Sequence, residues 1–157
     1  MDQSSLIATL SFLAALLAAL YSRWVWSEAR RTNLLALHTN RIAVFRAFHR
    51  LRQSVQVRGV GIEHDLVDPF YQFARESKFY FSETKTSELL AKYCVACFEL
   101  AEVSRKLERS GLAEAEREHL HDRQDAMSDL EQSLFSETEK QLESELCHAV
   151  RRGWFGA

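Results

Sequence analysis

The sequence predicts an all-α protein: a single N-terminal transmembrane helix continues into a long basic helix, and an antiparallel helical bundle follows. Three observations point there. One proline and five glycines in 157 residues leave few positions at which a helix has to end. No stretch alternates apolar and polar residues at period two between turn signals, as a half-buried strand would. Residues 6–21, LIATLSFLAALLAALY, form an apolar run without a charge, and such a run reads as a membrane anchor.

The anchor needs extending, because a bilayer core takes ~20 helical residues. Reaching back to Ser4 and forward through Trp24, Val25 and Trp26 supplies the length, with Arg23 snorkelling to the headgroups. Trp24 and Trp26 then fall in the interfacial belt. Asp2 is the only charge ahead of the run, so the basic start of a secretory signal is missing and the segment reads as retained. Arg23, Arg30 and Arg31 all follow it. Positive residues stay inside, which predicts a single pass with the N-terminus outside and the body in the cytoplasm. Ser4, Ala8, Ser11, Ala15 and Ala18 recur at steps of four and three. Such a seam of small residues lets helix backbones approach closely in lipid, where packing drives association. Residues 1–26 are the anchor, 27–58 a basic helical arm, and 59–157 a helical cytoplasmic domain that packs with the arm as one unit.

Charge is segregated along the chain. Residues 23–58 hold eight arginines against Glu28, while the stretch 112–145 holds eleven acids against Arg117, Arg123 and Lys140. In the arm, Leu34, Leu37, Ile42, Val44, Phe45, Phe48, Leu51 and Val55 make an apolar stripe at helical spacing. Arg23, Arg30 and Arg31 lie close enough to the bilayer to bind anionic headgroups. Arg41, Arg46, Arg50, Arg52 and Arg58 lie too far along for lipid; the acidic C-terminal helix is the favoured partner for them, and a polyanion such as RNA is the alternative.

Gly59 and Gly61 end the arm. Asp68 is the expected N-cap of a short helix with Pro69 at its first position, where the missing N–H does no harm. Phe70, Tyr71, Phe73, Phe79, Tyr80 and Phe81 make an aromatic elbow suited to a core. Ser82 is expected to cap a helix over 83–109 that buries Leu89, Leu90, Tyr93, Cys97, Leu100, Val103 and Leu107. Gly111 separates it from a last helix over 112–152 that carries Leu120, Met127, Leu130, Leu134, Leu142, Leu146 and Val150. Ser136 with Glu139 forms a capping box that would divide it.

Motifs that carry chemistry are sparse. Cys94 and Cys97 form a CxxC that Cys147 and His148 could complete as four zinc ligands. Both pairs fall within helices, and neighbours such as Cys147 and His148 diverge by about 100° around a helix, so the thiols read as core. Glu118, His119, His121, Asp122 and Asp125 read as a solvated polar face. No phosphate-cradling glycine loop is present. The reading assigns no catalytic residue, no metal and no cofactor.

Two Arg–His spacings, Arg31 to His38 and Arg58 to His64, resemble the motif of HEPN ribonucleases. There an imidazole would act as base toward a 2′-hydroxyl and an arginine would stabilise the phosphate. The anchor is followed by Arg41, Phe45 and Phe48, the elbow DLVDPFYQFARESKFYFSETKTSELL and a glutamate-rich stretch over 127–146. This order resembles small uncharacterised bacterial proteins with one membrane anchor and a helical cytosolic domain. It is also similar to membrane accessory proteins of antiviral systems with RNA-targeting CRISPR nucleases, which have a divergent HEPN-like domain and assemble in the membrane. The expected function is a non-enzymatic inner-membrane protein that assembles as a homo-oligomer, permeabilising or scaffolding the membrane, with membrane lipids as partners. One alternative is a membrane-tethered adaptor that recruits a protein through its acidic helix. The other is a tethered HEPN-like ribonuclease, in which Arg58 and His64 would contact RNA.

Overall fold

The computed structural model describes residues 3–58, 64–109 and 113–155; among them it contains four helices and no strand. They are α1 (Gln3–Arg58), α2 (His64–Tyr80), α3 (Thr84–Leu107) and α4 (Glu114–Phe155). The long N-terminal helix expected from the anchor and the arm is therefore present as α1. The chain divides into two compact units, Met1–Leu37 and His38–Ala157.

The first unit is helical, and its described side chains over 3–36 are all exposed. Leu34, expected in the buried stripe of the arm, is 52 % exposed, because it belongs to this unit and not to the core.

The second unit is organised around Phe48. Its ring lies 4.8 Å from Tyr93, stacks at 4.9 Å on Phe135 and lies 6.2 Å from Phe70, so α1, α2, α3 and α4 all meet on one side chain. Val44, Leu51 and Val55 from α1 join it, with Val67 and Ala74 from α2, Leu90, Cys97 and Leu100 from α3, and Leu142 from α4. Steps of three, four or seven within α1, α2 and α3 keep these residues on one stripe of each helix. Along α3 and α4 the pairings run in opposite directions: Glu83 meets Glu145, Lys85 meets Glu137, and Tyr93 meets Glu131.

The buried seam of α4 is more polar than its leucines suggest. Gln124, Glu131, Thr138 and Glu145, seven residues apart, are all buried, interleaved with Leu120, Met127 and Leu134. A seven-residue repeat returns to nearly the same face of a helix. Leu130, expected on that face, is 42 % exposed, and Leu107 and Leu146 are only half-buried. Val150 lies outside the described side chains.

Several expected boundaries move. Helix α2 starts at His64, with Asp65 in its first turn, where a carboxylate meets the positive end of the helix dipole. Asp68 is therefore inside the helix and is not its cap. Pro69 is inside as well and cannot donate to the Asp65 carbonyl. Ser82 does not cap α3. Glu83 occupies that position with an extended backbone and no side-chain cap bond, while the Ser82 hydroxyl accepts from Arg41 at 3.4 Å. Helix α3 ends at Leu107 and α4 begins at Glu114. The capping box at Ser136 does not divide α4, since Phe135 and Thr138 beside it are held by the core.

Candidate functional site

Two regions stand out, one in each unit. In the first, α1 is the one helix among the described residues long and apolar enough to cross a membrane. Ser4, Ala8, Ser11, Ala15 and Ala18 are all exposed on it. So are Arg23, Trp24, Trp26, Arg30 and Arg31. The Trp24 ring lies 6.1 Å from Tyr21, and the Arg30 guanidinium lies 5.7 Å from the Trp26 ring centroid, within cation–π range. The Ser27 hydroxyl donates to the Trp24 carbonyl at 2.8 Å, an i to i−3 bond inside the helix. The aromatic rings and the guanidinium groups thus occur in adjacent turns of α1.

In the second unit, three helices converge on Glu131. Its carboxylate, 1 % exposed, accepts from the Arg52 guanidinium and, at 2.7 Å, from the Tyr93 hydroxyl. The Arg52 guanidinium also lies 4.9 Å over the Phe135 ring. Arg52 comes from α1, Tyr93 from α3 and Glu131 from α4, so one carboxylate ties three elements together. A second tie closes the α2–α3 elbow. Arg41 Nε donates to the Tyr80 carbonyl at 2.6 Å, and its guanidinium lies 5.7 Å from the Phe81 ring. A third holds the start of α3, where the Glu83 backbone N–H donates to Glu145 at 3.0 Å and Gln141 donates to the Glu83 carboxylate at 2.6 Å.

Of the arginines expected to pair with the acidic helix, Arg52 does so. Arg41 goes instead to the elbow, because the carbonyl at the end of α2 lies within its reach. Arg46 and Arg50 are exposed. His49 lies 3.6 Å from Glu139 on α4. The side chains of Arg58 and His64, the expected RNA-contacting pair, lie outside the described residues, as does that of His148. Arg31 is exposed and His38 half-buried on α1.

Chemically, the buried cluster favours neutral hydroxyl and thiol groups. Burial pushes the Tyr93 hydroxyl far above its usual range, and the neighbouring Cys97 and Glu131 add to the effect. Burial likewise raises the Cys97 thiol to about 12 and the Cys94 thiol to about 11. Since the thiolate is the reactive form, both are inert at neutral pH. They sit in the core as small hydrophobes, and Cys147 is exposed. Glu118, His119, His121, Asp122 and Asp125 are exposed as well. Among the described residues no three His, Cys, Asp or Glu side chains converge as metal ligands.

The roles of Glu131 and Glu145 escaped the reading of the sequence, which expected the acidic helix to pair with the arginines of the arm but singled out neither residue. The seven-residue recurrence of polar residues among the leucines is the signal that could have found them. Comparison with protein-family models, with curated proteins and with solved structures finds no match.

Proposed function

We propose that this chain is a single-pass protein of a bacterial inner membrane, its N-terminus outside and its body in the cytoplasm, that acts without catalysis. Its work is homo-oligomeric assembly that permeabilises or scaffolds the membrane. Antiparallel packing of the body into a bundle belongs to the same reading, and so does an accessory part in antiviral defence.

The observation that supports it most is the first unit, where Leu10, Phe12, Leu13, Leu17 and Leu20 are between 52 and 67 % exposed. Fully burying one such side chain stabilises by about 1.5–3 kcal/mol, so a row of them left in water forgoes a large sum that lipid recovers. Arg23, Arg30 and Arg31 then sit where each can contribute about 1 kcal/mol with anionic headgroups. The small-residue seam on the same helix provides for close helix contact.

The test is the mass of the detergent-solubilised full-length protein by light scattering, beside an Ala15→Leu/Ala18→Leu variant and a form lacking residues 1–26. A discrete oligomer that falls to monomer in both altered forms is expected. A normal oligomer with leucine at both seam positions would sink the anchor-driven reading. If every form is monomeric, the tethered adaptor takes its place.

A further inference from the structure

We propose that the outer face of α1 in the second unit, built on Arg46 and Arg50, docks the acidic outer face of α4 from a second copy of the chain. This rests on the assembly reading above and names surfaces which that reading leaves open.

Arg46, Arg50 and Gln53 recur at steps of four and three and are exposed, on the side of α1 away from the buried Val44, Phe48 and Leu51. With Phe45 and His49 they line a shallow surface depression of ≈ 260 Å³. On α4, Glu118, Asp122, Asp125 and Asp129 follow steps of four, three and four and are likewise exposed, opposite the buried seam of Gln124 and Glu131.

The charges inside one chain are already committed elsewhere. Arg52 is held by Glu131, and Arg41 by the elbow. Glu137 meets Lys85, and Glu139 meets His49. Among the described residues, neither of the two exposed arginines nor the four outer acids joins an ion pair. Both faces look away from the shared core, so they cannot meet within a single chain. Between two chains they are opposite in sign and match in step, and side-chain ridges at three- and four-residue spacing are what helices interlock when they pack.

Such surface pairs are individually weak in water. Confinement of the anchors to one membrane raises the effective concentration of the bodies and makes a weak contact sufficient. The two faces are different surfaces, so the contact is head-to-tail and propagates until it closes a ring or forms a reciprocal pair.

The experiment crosslinks full-length protein in lipid vesicles at low and high salt and reads the mass of the solubilised product by light scattering. The variants are Arg46→Glu/Arg50→Glu, Asp122→Lys/Asp125→Lys, and the four changes combined. Far-UV circular dichroism confirms that each is helical. The expected result is that each charge-reversed pair at least halves the mean mass at low salt, that the combined variant recovers it, and that high salt lowers the wild-type mass. An unchanged mass in either pair, or no recovery in the combination, overturns the proposal. The Ala15→Leu/Ala18→Leu variant separates this from the anchor reading. Dissociation by those leucines alone leaves the anchor standing and removes the docking faces. Dissociation by the charge reversals alone does the opposite. Retention of wild type on single-stranded homopolymer RNA, lost in Arg46→Glu/Arg50→Glu at unchanged mass, would give the face to a nucleic acid and overturn docking.

Discussion

A carboxylate that is 1 % exposed, as Glu131 is, survives in a core only when its oxygens are answered, and Arg52 and Tyr93 answer both. Glu131→Ala leaves Arg52 without its partner in a largely desolvated site and is expected to cost about 3 kcal/mol. Arg52→Met/Glu131→Leu removes both charges and is expected to regain most of that loss. Urea midpoints followed by helical circular dichroism check the pair, and an unchanged midpoint for Glu131→Ala refutes the pinning role. The cysteines are tested by labelling. A maleimide should reach Cys147 in the native protein, while Cys94 and Cys97 react only after denaturation, since both are buried. Their raised values also set a pH window. The folded state favours the protonated thiol, so its contribution is complete below the ordinary value near 9 and is lost as pH rises toward about 11 and about 12. Stability should fall across that window, less steeply in Cys97→Ala.

The helices depend on how their stripes are filled. Helix α4 remains whole past Ser136 because Phe135 packs against the core and Thr138 is buried in it, and packing overrides a local capping pattern. The same helix accepts a polar residue every seventh position because groups outside it supply donors for two of them, Arg52 and Tyr93 for Glu131 and the Glu83 N–H for Glu145. Thr138 is different. Its hydroxyl, like that of Thr86 on α3, is buried with no hydrogen-bond partner among the described residues. Valine keeps the shape and removes the unanswered group, so Thr138→Val is expected to gain about 1 kcal/mol. A loss of comparable size, read from urea unfolding, would mean that the hydroxyl has a partner. Phe48 shows the converse for apolar positions: its stripe was legible from spacing, but its contacts with rings from α2, α3 and α4 were not.

For the whole molecule, the proposed membrane location rests on the first unit, whose helix is long and apolar enough to cross a bilayer. Its exposed leucines and phenylalanine suit hydrocarbon, and placing a charge among them opposes insertion by ~2.5–3.5 kcal/mol. Leu13→Arg is therefore expected to move a substantial share of the protein from the carbonate-washed membrane pellet into the supernatant, with wild type remaining in the pellet. Release of wild type by carbonate would refute the anchor. The separation of arginines on α1 from acids on α4 gives the single chain its electrostatic pattern, with Arg52 and Glu131 joined inside and Arg46 and Asp125 exposed.

The helical class, the four stretches of helix and the apolar N-terminal segment follow from the sequence alone, because they depend on local facts: scarce breakers, three- and four-residue spacing, and sixteen uncharged residues in a row. Their boundaries were less legible. Asp68, Ser82 and Ser136 look like caps in isolation; Ser82 and Ser136 were overruled by contacts made across the fold, while α2 begins a turn ahead of Asp68. The destinations of the charges were decided only in three dimensions. Arg41 and Arg52 lie eleven residues apart on one helix, yet one turns to a carbonyl at the α2–α3 elbow and the other to a buried carboxylate. A charge run specifies sign and spacing, whereas the partner depends on which distant group the packed core brings within hydrogen-bonding distance.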